Sequence, residues 1–417
     1  MSEHTECILP FMHLYAQADG EMKPCCIAGG FDDPLNLKTM AIDDAFNSSQ
    51  MKQLRKDMEE GKRNSVCDVC YKREDKTGHS PRTDVFNNHS DWIKPKVEED
   101  YSVSSDFQHI DIRFSNLCNF KCRMCNHDFS SNWFADSKIL NSDFSSRKKK
   151  VLRVSDNIVQ ELIPHLSKIK SFYFAGGEPL IMPEHFKVLN YLYETLPVIK
   201  CYLTKERYRK ARDLTIHYNT NLSVLKFEEK SLIDIWKGFK RIFLSISCDG
   251  VGEVGEYQRT GFLTDKFQKN LEIIKKHFKP QNVKNHSSDG MLYNFQYTTT
   301  IMNVYHIFDF IEYMFENNNI TDSNQIDFCY AWSPNEYALN NISKDEKKKL
   351  IDFLNENVTK YSDKTKSEIQ IMIDFIDFDE TSIDNTDNIS ATADYVKTIE
   401  TLQGGDFSKI SPIKLKM

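Results

Sequence analysis

Three cysteines stand close together in the segment NLCNFKCRMCN, namely Cys118, Cys122 and Cys125. Cysteine thiolates are the ligands of iron–sulfur clusters, and several thiolates in one short loop can hold a single cluster. A 4Fe–4S cube has four irons, so these cysteines leave one iron without a protein ligand. An open coordination position distinguishes a reactive metal site from a closed structural one. The same spacing fits a helix face with core cysteines, but the preceding run HIDIRFSN predicts a strand followed by a loop.

Further cysteines in the N-terminal region form a second candidate ligand set. The runs Ile8–Tyr15 and Met22–Ala28 predict a β-hairpin, because the Asp19-Gly20 pair between them is a strong turn signal. The hairpin brings one cysteine pair together and a Cys-x2-Cys turn adds another. The resulting set is Cys7, Cys25, Cys67 and Cys70. Four thiolates make a closed site, which suits an iron–sulfur cluster and a structural zinc ion equally well.

The composition is that of an ordinary globular protein. The chain has 417 residues, of which 40% are apolar and 28% are charged. At roughly 100 to 200 residues per domain, this length predicts two or three domains. With 54 Lys plus Arg against 61 Asp plus Glu, the net charge is −7 and gives no long-range attraction to a phosphate backbone. We therefore do not expect nucleic acid as the partner.

Two features of the sequence predict a cytoplasmic protein that does not enter a membrane. No stretch approaches the roughly 18 to 20 consecutive apolar residues that span a bilayer. The N-terminus carries acidic residues where a signal peptide has basic ones. Thiols stay reduced in the cytosol, so we interpret the 11 cysteines as ligands, catalytic groups or core residues and not as disulfides. The isolated ones are interpreted as core residues: Cys26, Cys201, Cys248 and Cys329.

The central part of the chain alternates short β-rich runs with helical stretches, which predicts parallel strands joined by crossover helices. The predicted strands are His109–Phe114, Ser171–Phe174, Leu214–Tyr218, Arg241–Ser247, Tyr293–Ile301 and Gln325–Trp332. The predicted helices include Asn157–Ile169, Lys266–Lys276 and Ile307–Asn317. Six such units fit an α/β fold with a partial (β/α)6 TIM-like barrel, whose ligand site lies at the carboxyl ends of the strands. An open doubly wound sheet is the alternative.

The regions on either side of this central part differ from it in residue composition and predicted structure. The sequence of the N-terminal region predicts a small β-hairpin, followed by a helix from Ala41 through Met58 that ends at Gly61. Residues 81–105 are polar and are predicted to form an irregular linker. After a charged helix over Lys344–Asn357, the acidic stretch Asp374–Asp394 reads as a solvated loop. The expected domains are thus a cysteine-rich domain over 1–80, the linker, a core over 106–340 and a C-terminal helical and acidic extension over 341–417.

These motifs together resemble those of the radical S-adenosylmethionine (radical SAM) superfamily. The loop CNFKCRMC is followed about fifty residues later by FAGGEPL, in the order typical of that family. The N-terminal Cys-x12-Gly-x4-Cys with Cys-x2-Cys is similar to the Twitch domain, a shortened relative of the SPASM auxiliary-cluster domain. The resemblance implies a radical SAM barrel with an N-terminal Twitch-like domain.

The resemblance also implies roles for individual residues. The three-cysteine loop would hold a 4Fe–4S cluster whose open iron binds the amino and carboxylate groups of S-adenosylmethionine, and the N-terminal set would hold a second, auxiliary 4Fe–4S cluster. Gly176, Gly177, Glu178 and Pro179 match the motif that contacts the methionyl ammonium group. Ser247 and Asp249 match the Ser-x-Asp-Gly signature, and Arg259 resembles the arginine that pairs with the methionine carboxylate. Asn219 and Asn221 are expected either to contact ribose or substrate or to form Asx turns.

The implied function is reductive cleavage of S-adenosylmethionine to a 5′-deoxyadenosyl radical, which abstracts hydrogen from a substrate. A peptide or protein side chain is the expected substrate, and a reducing electron donor is required. One alternative is a radical SAM enzyme that acts on a small molecule or on RNA. The other is a zinc-stapled binding protein without catalysis. The sequence does not identify the residue that quenches the product radical.

Overall fold

The computed structural model describes residues 5–88, 92–141, 149–195, 198–200, 207–209, 212–227, 230–280, 290–331, 334–377 and 386–415. By their contacts the residues divide into two compact units. Unit 1 comprises Met1–Leu117, Val151–Tyr218 and Phe227–Ile242. Unit 2 comprises Cys118–Lys150, Asn219–Lys226 and Phe243–Met417.

The described strands and helices alternate over most of the chain. The strands are β1 His13–Ala16, β2 Glu21–Lys23, β3 Leu35–Asn36, β4 His109–Ile112, β5 Lys121–Cys122, β6 Ser171–Phe174, β7 Val198–Lys200, β8 Arg207–Arg209, β9 Arg212–Thr220, β10 Lys226–Phe227, β11 Lys230–Ser231, β12 Phe239–Ser247, β13 Arg259–Thr260, β14 Lys279–Pro280, β15 Gly290–Thr299 and β16 Ile326–Tyr330. The helices are α1 Leu9–Met12, α2 Ile42–Phe46, α3 Ser49–Glu59, α4 Asp68–Thr77, α5 Pro81–Asn88, α6 Phe134–Leu140, α7 Ile158–Leu162, α8 Pro183–Glu194, α9 Leu232–Trp236, α10 Gly252–Gln258, α11 Thr264–Lys275, α12 Ile307–Glu316, α13 Lys344–Val358, α14 Asp363–Asp377, α15 Thr386–Gln403 and α16 Phe407–Ile410.

Unit 1 contains a sheet in which strands that are far apart in sequence pair in parallel. β4 pairs in parallel with β1 and β6, and β6 pairs in parallel with β9. β2 and β3 extend the sheet antiparallel beyond β1, with Gly20 at φ +93° in the turn before β2. The first residues of β12 belong to this unit, and β12 neighbours β9. Consecutive parallel strands in this order are the arrangement of a (β/α) barrel.

Unit 2 continues the same pattern with the later strands. The rest of β12 neighbours β15, which pairs in parallel with β14 and β16. A separate two-stranded ribbon joins β5 to β13 in antiparallel orientation. No described helix is both long and apolar enough to cross a membrane.

The predicted fold class, an α/β fold with a mostly parallel central sheet, is confirmed. All six predicted strands are present as β4, β6, β9, β12, β15 and β16, although Trp332 lies outside the described residues. The three predicted helices correspond to α7 with the 3-10 turn that follows it, α11 and α12. Apolar residues of the strands are fully buried, for example Ile112 and Phe172. These long periodic segments were predictable because burial and period agree.

Five local predictions were wrong, and one of them is the second hairpin strand, because β2 ends at Lys23 and does not continue to Ala28. Leu9–Met12 forms a helical turn and not a strand, because Pro10 cannot donate to a ladder but suits the first turn of a helix. The helix predicted from Ala41 is interrupted at Ser48, whose side chain accepts a hydrogen bond from the Met51 amide and starts a second helix. The predicted linker begins with a helix, α5, which starts at a proline.

The acidic C-terminal stretch was the fifth. It is helical at both ends, because α14 continues to Asp377 and α15 begins at Thr386, whereas residues 378–385 lie outside the described part of the chain. Phe375, Ile376 and Ala393 are buried, so spaced apolar residues within the acidic sequence pack these helices. The expected domain boundaries stay a prediction.

Candidate metal centre

The three-cysteine loop is built from a short strand and turns and not from a helix. Cys122 lies in β5, directly opposite Arg259 in β13. The Cys122 carbonyl accepts hydrogen bonds from the Trp133 indole at 2.9 Å and from the Cys125 amide at 2.9 Å. Cys118, Cys122 and Cys125 are all half-buried. Hydrogen bonds therefore fix the backbone of the loop, and none of its three cysteines is fully enclosed.

The electrostatic environment of these thiols opposes free thiolates. Burial raises the pKa of Cys122 to about 11, although the nearby Arg259 guanidinium lowers it. Burial also raises the pKa of Cys125, and the charges of Cys122 and Cys118 raise it further. Without a metal the Cys122 and Cys125 thiols stay protonated at neutral pH. Binding to a cationic group offsets this cost, because ligation deprotonates thiols.

Asp249 holds Arg259 in a buried ion pair. The Arg259 Nε atom lies 2.7 Å from Asp249 Oδ2, and Asp249 is fully buried. Asp249 Oδ1 accepts a hydrogen bond of 2.7 Å from the Thr298 amide. Burial lowers the pKa of Arg259, but Asp249 and Cys122 outweigh it and keep the guanidinium charged. Asp249 thus fixes the orientation of the Arg259 guanidinium group through this contact.

The Gly-Gly-Glu-Pro turn, at the end of β6 in unit 1, is folded tightly against the backbone. Gly176 and Gly177 have φ of +76° and +41°. A Cβ atom on Gly177 would stand 2.2 Å from the carbonyl oxygen of Leu117, and the Glu178 amide donates to that oxygen at 2.8 Å. The Glu178 carboxylate is buried and accepts from the Leu180 amide, and Pro179 starts a 3-10 turn. Only glycine fits beside the residue that precedes the first cysteine.

The other residues predicted to contact a ligand differ in their hydrogen bonds and burial. The Asn221 amide donates to Asn119 at 3.0 Å and its oxygen accepts from the Ser223 amide at 3.0 Å, which is an Asx turn. Asn119 directly follows Cys118, so Asn221 supports the cysteine loop. Asn219 and Ser247 are half-buried at the ends of β9 and β12.

The N-terminal cysteines lie in unit 1. Cys7 precedes α1, Cys25 follows β2, and Cys67 and Cys70 flank the start of α4. Burial raises the pKa of Cys25 and Cys67 to about 12, and the charges of the other thiols raise it further. The same charges raise the pKa of Cys7, after burial as the main cause. Hydrogen bonds join the segments that carry these cysteines, since the Tyr71 hydroxyl donates to the Thr5 carbonyl at 3.0 Å and the Gly29 amide donates to the Val66 carbonyl at 2.8 Å.

An ion pair supports this second set from α4 and α5. The Arg82 guanidinium pairs with Glu74, and both side chains are buried. Arg82 Nη1 also donates to the Glu6 carbonyl at 2.7 Å, beside Cys7. Within the described residues, no three or more His, Cys, Asp and Glu side chains are grouped closely enough to hold one metal ion. The ligands of a cluster, in contrast, each bind a different iron.

The interpretation of the isolated cysteines as core residues was partly wrong. Cys248 is fully buried as predicted. Cys26 and Cys329 are exposed, and Cys201 lies outside the described residues. Cys26 follows a candidate ligand and Cys329 stands on β16, so burial statistics for isolated cysteines did not apply to either.

Sequence reasoning missed a link between the C-terminal segment and the cysteine loop, both in unit 2. Arg123 is buried next to Cys122, and its guanidinium lies 3.8 Å from the centre of the Tyr257 ring. Arg123 Nε donates to the Tyr257 carbonyl at 2.7 Å, and Nη2 donates to the carbonyl of Gly404. Gly405 packs on the same ring. The Gly404-Gly405 pair after α15 was the available sequence signal, but the residues that it contacts are remote in sequence.

Comparison with known proteins identifies two regions. Residues 112–293 match the Radical SAM superfamily, and residues 7–71 match SPASM, described as an iron–sulfur cluster-binding domain. No curated protein is significantly similar to the chain.

Two solved structures are similar at low identity. The chain is 19% identical to native anSMEcpe with bound AdoMet, covering 58% of this chain and 59% of that one, with a TM-score of 0.36. It is 16% identical to Streptococcus suis SuiB bound to precursor peptide SuiA, covering 60% of this chain and 46% of that one, with a TM-score of 0.32. The match therefore spans less than two thirds of either protein.

Proposed function

We propose that this chain is a radical SAM protein with an auxiliary SPASM-like iron–sulfur domain, and that it cleaves S-adenosylmethionine reductively to modify a peptide or protein side chain. The observation that carries the proposal is the partly accessible three-cysteine loop, in which Cys122 stands opposite the buried, charged Arg259. An auxiliary-cluster domain of the SPASM type supports the peptide as substrate, since related enzymes often modify peptides.

The residues fit the groups that this reaction requires. Cys118, Cys122 and Cys125 would bind three irons of a 4Fe–4S cluster and leave one open, and the N-terminal set would close a second cluster with four ligands. When bound, the cluster held by the three-cysteine loop would pass on one electron from an external reductant for the cleavage of S-adenosylmethionine.

The chain's own residues would bind and orient the methionine part. The guanidinium of Arg259 is kept charged and suits a carboxylate. The turn at Gly176 and Gly177 lets the backbone approach a ligand closely, and the Glu178 carboxylate complements an ammonium group. Asp249 prevents Arg259 from rotating, so the cation is already in position before the ligand arrives.

Anaerobic reconstitution tests the proposal. We expect about eight irons and about eight sulfides per chain, from two four-iron clusters. The reduced protein should give a paramagnetic signal that shifts when S-adenosylmethionine is added. Reductant should then release 5′-deoxyadenosine. A colourless protein with zinc and negligible iron would establish the binding-protein alternative instead.

The substrate class has its own test. Candidate peptides, small metabolites and RNA are incubated with the reconstituted, reduced protein, and formation of 5′-deoxyadenosine is followed. We expect peptides to stimulate it. Stimulation only by a small molecule or by RNA would contradict the peptide proposal, although the net charge of −7 disfavours RNA.

A further inference from the structure

The ion pair of Asp249 and Arg259 is held by a turn that follows β15. This turn spans residues 298–303 and lies in unit 2, as do both members of the ion pair. The Thr298 amide donates to Asp249 Oδ1 at 2.7 Å, so the start of the turn fixes the carboxylate. Asp249 is fully buried, so bulk water does not supply a substitute donor. The position of the carboxylate therefore depends on how the turn is held against Asp249.

Asn303, the last residue of the turn, joins it to Asp249. Asn303 is fully buried, and its Nδ2 atom donates to the Asp249 carbonyl at 2.8 Å and to the Thr298 carbonyl at 3.0 Å. Its Oδ1 atom accepts from the Thr300 amide at 2.8 Å and from the Thr300 hydroxyl at 3.2 Å. Two carbonyls on one side and an amide on the other allow only one orientation of the side-chain amide. Asparagine thus supplies both the donors and the acceptor that this position requires.

Gln258 ties the other member of the ion pair to the same turn. It directly precedes Arg259 and is fully buried. Gln258 Nε2 donates to the Thr298 carbonyl at 3.3 Å, and its Oε1 atom accepts from the Thr300 hydroxyl at 3.1 Å. The Gln258 carbonyl also accepts from the Arg123 amide of the three-cysteine loop at 2.8 Å. The turn therefore holds both members of the ion pair and, through Gln258, the loop itself.

We propose that Asn303 is a positioning residue for S-adenosylmethionine, which acts through Asp249 and Arg259 and does not itself contact the ligand. This proposal rests on the proposed function, in which Arg259 pairs with the methionine carboxylate. Without the Asn303 amide the turn is no longer held on the Asp249 carbonyl, and the Thr298 amide holds the carboxylate less rigidly. Arg259 then loses its orientation, so recognition of the methionine carboxylate weakens. Asn303 lies beyond residues 112–293, so the match to the family gives it no role.

Two ligands separate this role from general damage to the fold. S-adenosylmethionine carries the carboxylate, whereas decarboxylated S-adenosylmethionine lacks it and is otherwise the same molecule. Both are titrated calorimetrically against the reconstituted full chain with oxidised clusters, so that no cleavage occurs. Asn303→Ala should lower the affinity for S-adenosylmethionine about three- to tenfold, the range expected for a lost buried hydrogen bond. The affinity for the decarboxylated compound should not change, because that compound has no group for Arg259 to bind.

Kinetics and a milder variant extend this test. With saturating reductant, Asn303→Ala should raise the KM for S-adenosylmethionine by the same factor while kcat and iron content stay unchanged, because the cysteine ligands remain. Thr300→Val removes only the hydroxyl that Asn303 and Gln258 share and nearly keeps the shape of the side chain. It should show the same selective loss at a smaller size, about two- to threefold. It provides the answer if Asn303→Ala fails to fold.

Asn319→Ala is the matched control. Asn319 is as deeply buried in unit 2 as Asn303, and its side chain also donates and accepts hydrogen bonds. Its partners are Gln268 and Lys275 in α11 and Met314 in α12, and not the turn at residues 298–303. The melting temperature of Asn319→Ala should therefore fall, as in Asn303→Ala. Both ligand affinities should remain those of the wild type.

Two results would overturn the role of Asn303. An equal loss of affinity for both ligands would mean that Asn303 only stabilises the fold, and an unchanged affinity for S-adenosylmethionine in both variants would mean that the turn does not position Arg259. In either case the wild type would still release 5′-deoxyadenosine, so the proposed function would stand. A wild type that binds both ligands equally would contradict the pairing of Arg259 with the carboxylate, and the role of Asn303 with it. A wild type that never releases 5′-deoxyadenosine would contradict the proposed function itself.

Discussion

The two cysteine regions contrast in how many ligands they offer and how far these are exposed. The N-terminal region offers four cysteines, of which Cys7 and Cys70 are buried. The loop of unit 2 offers three, all half-buried. A closed set surrounded by protein suits a structural or electron-transfer role, whereas an open set must be reached by a ligand. In this protein the set with more cysteines is thus also the set that is more deeply buried.

The two regions nevertheless use the same kind of support. Each has a buried arginine paired with a buried carboxylate, Arg82 with Glu74 and Arg259 with Asp249. Arg82 is held on a backbone carbonyl beside Cys7, whereas Arg259 faces a cysteine across a strand pair. The first arginine is thus fully engaged by the protein, whereas we propose that the second also binds a ligand. This contrast can be tested at several levels.

Removing one cysteine from each region should have the largest and most different effects. Cys122→Ala leaves the open set with two ligands, so we expect cleavage of S-adenosylmethionine to be abolished. Cys67→Ala disrupts the closed set and should spare uncoupled cleavage while it damages turnover of substrate or folding. Release of 5′-deoxyadenosine and the paramagnetic signal of each variant provide the measurement.

Cys329→Ala is the control for both changes, because Cys329 is exposed and belongs to neither set. It should retain all the iron and full cleavage activity. If Cys122→Ala still cleaved S-adenosylmethionine, the assignment of the reactive loop would be wrong. If Cys67→Ala lost cleavage as completely as Cys122→Ala, the two regions would not differ in the way proposed.

A glycine substitution should have the next largest effect. Gly177→Ala places a methyl group against the Leu117 carbonyl, where a Cβ would stand 2.2 Å away. The turn must shift, and a displacement of about 1 Å at a reacting site can cost about 100-fold in rate. We expect a loss of this order in cleavage of S-adenosylmethionine, measured under saturating reductant.

Gly78→Ala is the matched control, at the end of α4 that carries Cys70. Gly78 has φ of +73°, and a Cβ placed on it would have no atom within 4 Å, so only backbone strain of about 1 kcal/mol is expected. Its melting temperature should fall slightly while cleavage is unchanged. Equal loss of cleavage in both variants would show that strain, and not the contact at Gly177, is responsible.

The two arginine supports provide the third comparison. Glu74→Gln and Asp249→Asn each leave a buried arginine without its carboxylate, and each should lower the free energy of unfolding by about 3 to 5 kcal/mol. Only Asp249→Asn should also weaken binding of S-adenosylmethionine, by roughly tenfold, because Arg259 loses its orientation. Calorimetry on the reconstituted variants measures both quantities. Weakened binding in Glu74→Gln would remove the distinction between the two supports.

The parts that were predictable from sequence are those in which local pattern and burial agree. Ser171–Phe174 is a strand with the predicted limits, and the run before Cys118 leads into a loop as predicted. The segment at Leu9–Met12 could not be separated from a strand by pattern, since short apolar runs fit either state. Proline there decided in favour of a helical turn.

The candidate site was predictable only in its ligands. Cysteine spacing and the Gly-Gly-Glu-Pro motif are local, so residue types indicate the chemistry. The partners of these residues are not local. Asp249 reaches Arg259 because a helix folds back, and Arg123 contacts a carbonyl 281 residues later in the chain. No short pattern encodes such pairs.

The smallest expected effect concerns the C-terminal contact of the open set. Gly405 lies against the Tyr257 ring that stacks on Arg123, and a Cβ on Gly405 would stand 2.6 Å from a ring atom and 3.0 Å from Arg123 Nη2. Gly405→Ala should push Arg123 and the neighbouring Cys122 backbone slightly. We expect a rise of a few-fold in the KM for S-adenosylmethionine, with kcat and iron content unchanged, because the ligands themselves remain.

Gly404→Ala isolates that contact from strain. Gly404 also has a positive φ, +78°, but no atom lies within 4 Å of a Cβ placed on it. Both variants therefore bear backbone strain, and only Gly405→Ala adds an overlap with the ring. A KM that rises in Gly405→Ala alone shows that the C-terminal segment positions the open set through Arg123. If the two variants had equal KM values, the C-terminal segment would only cover unit 2. The position of the open set would then depend on Arg259 and its strand pairing.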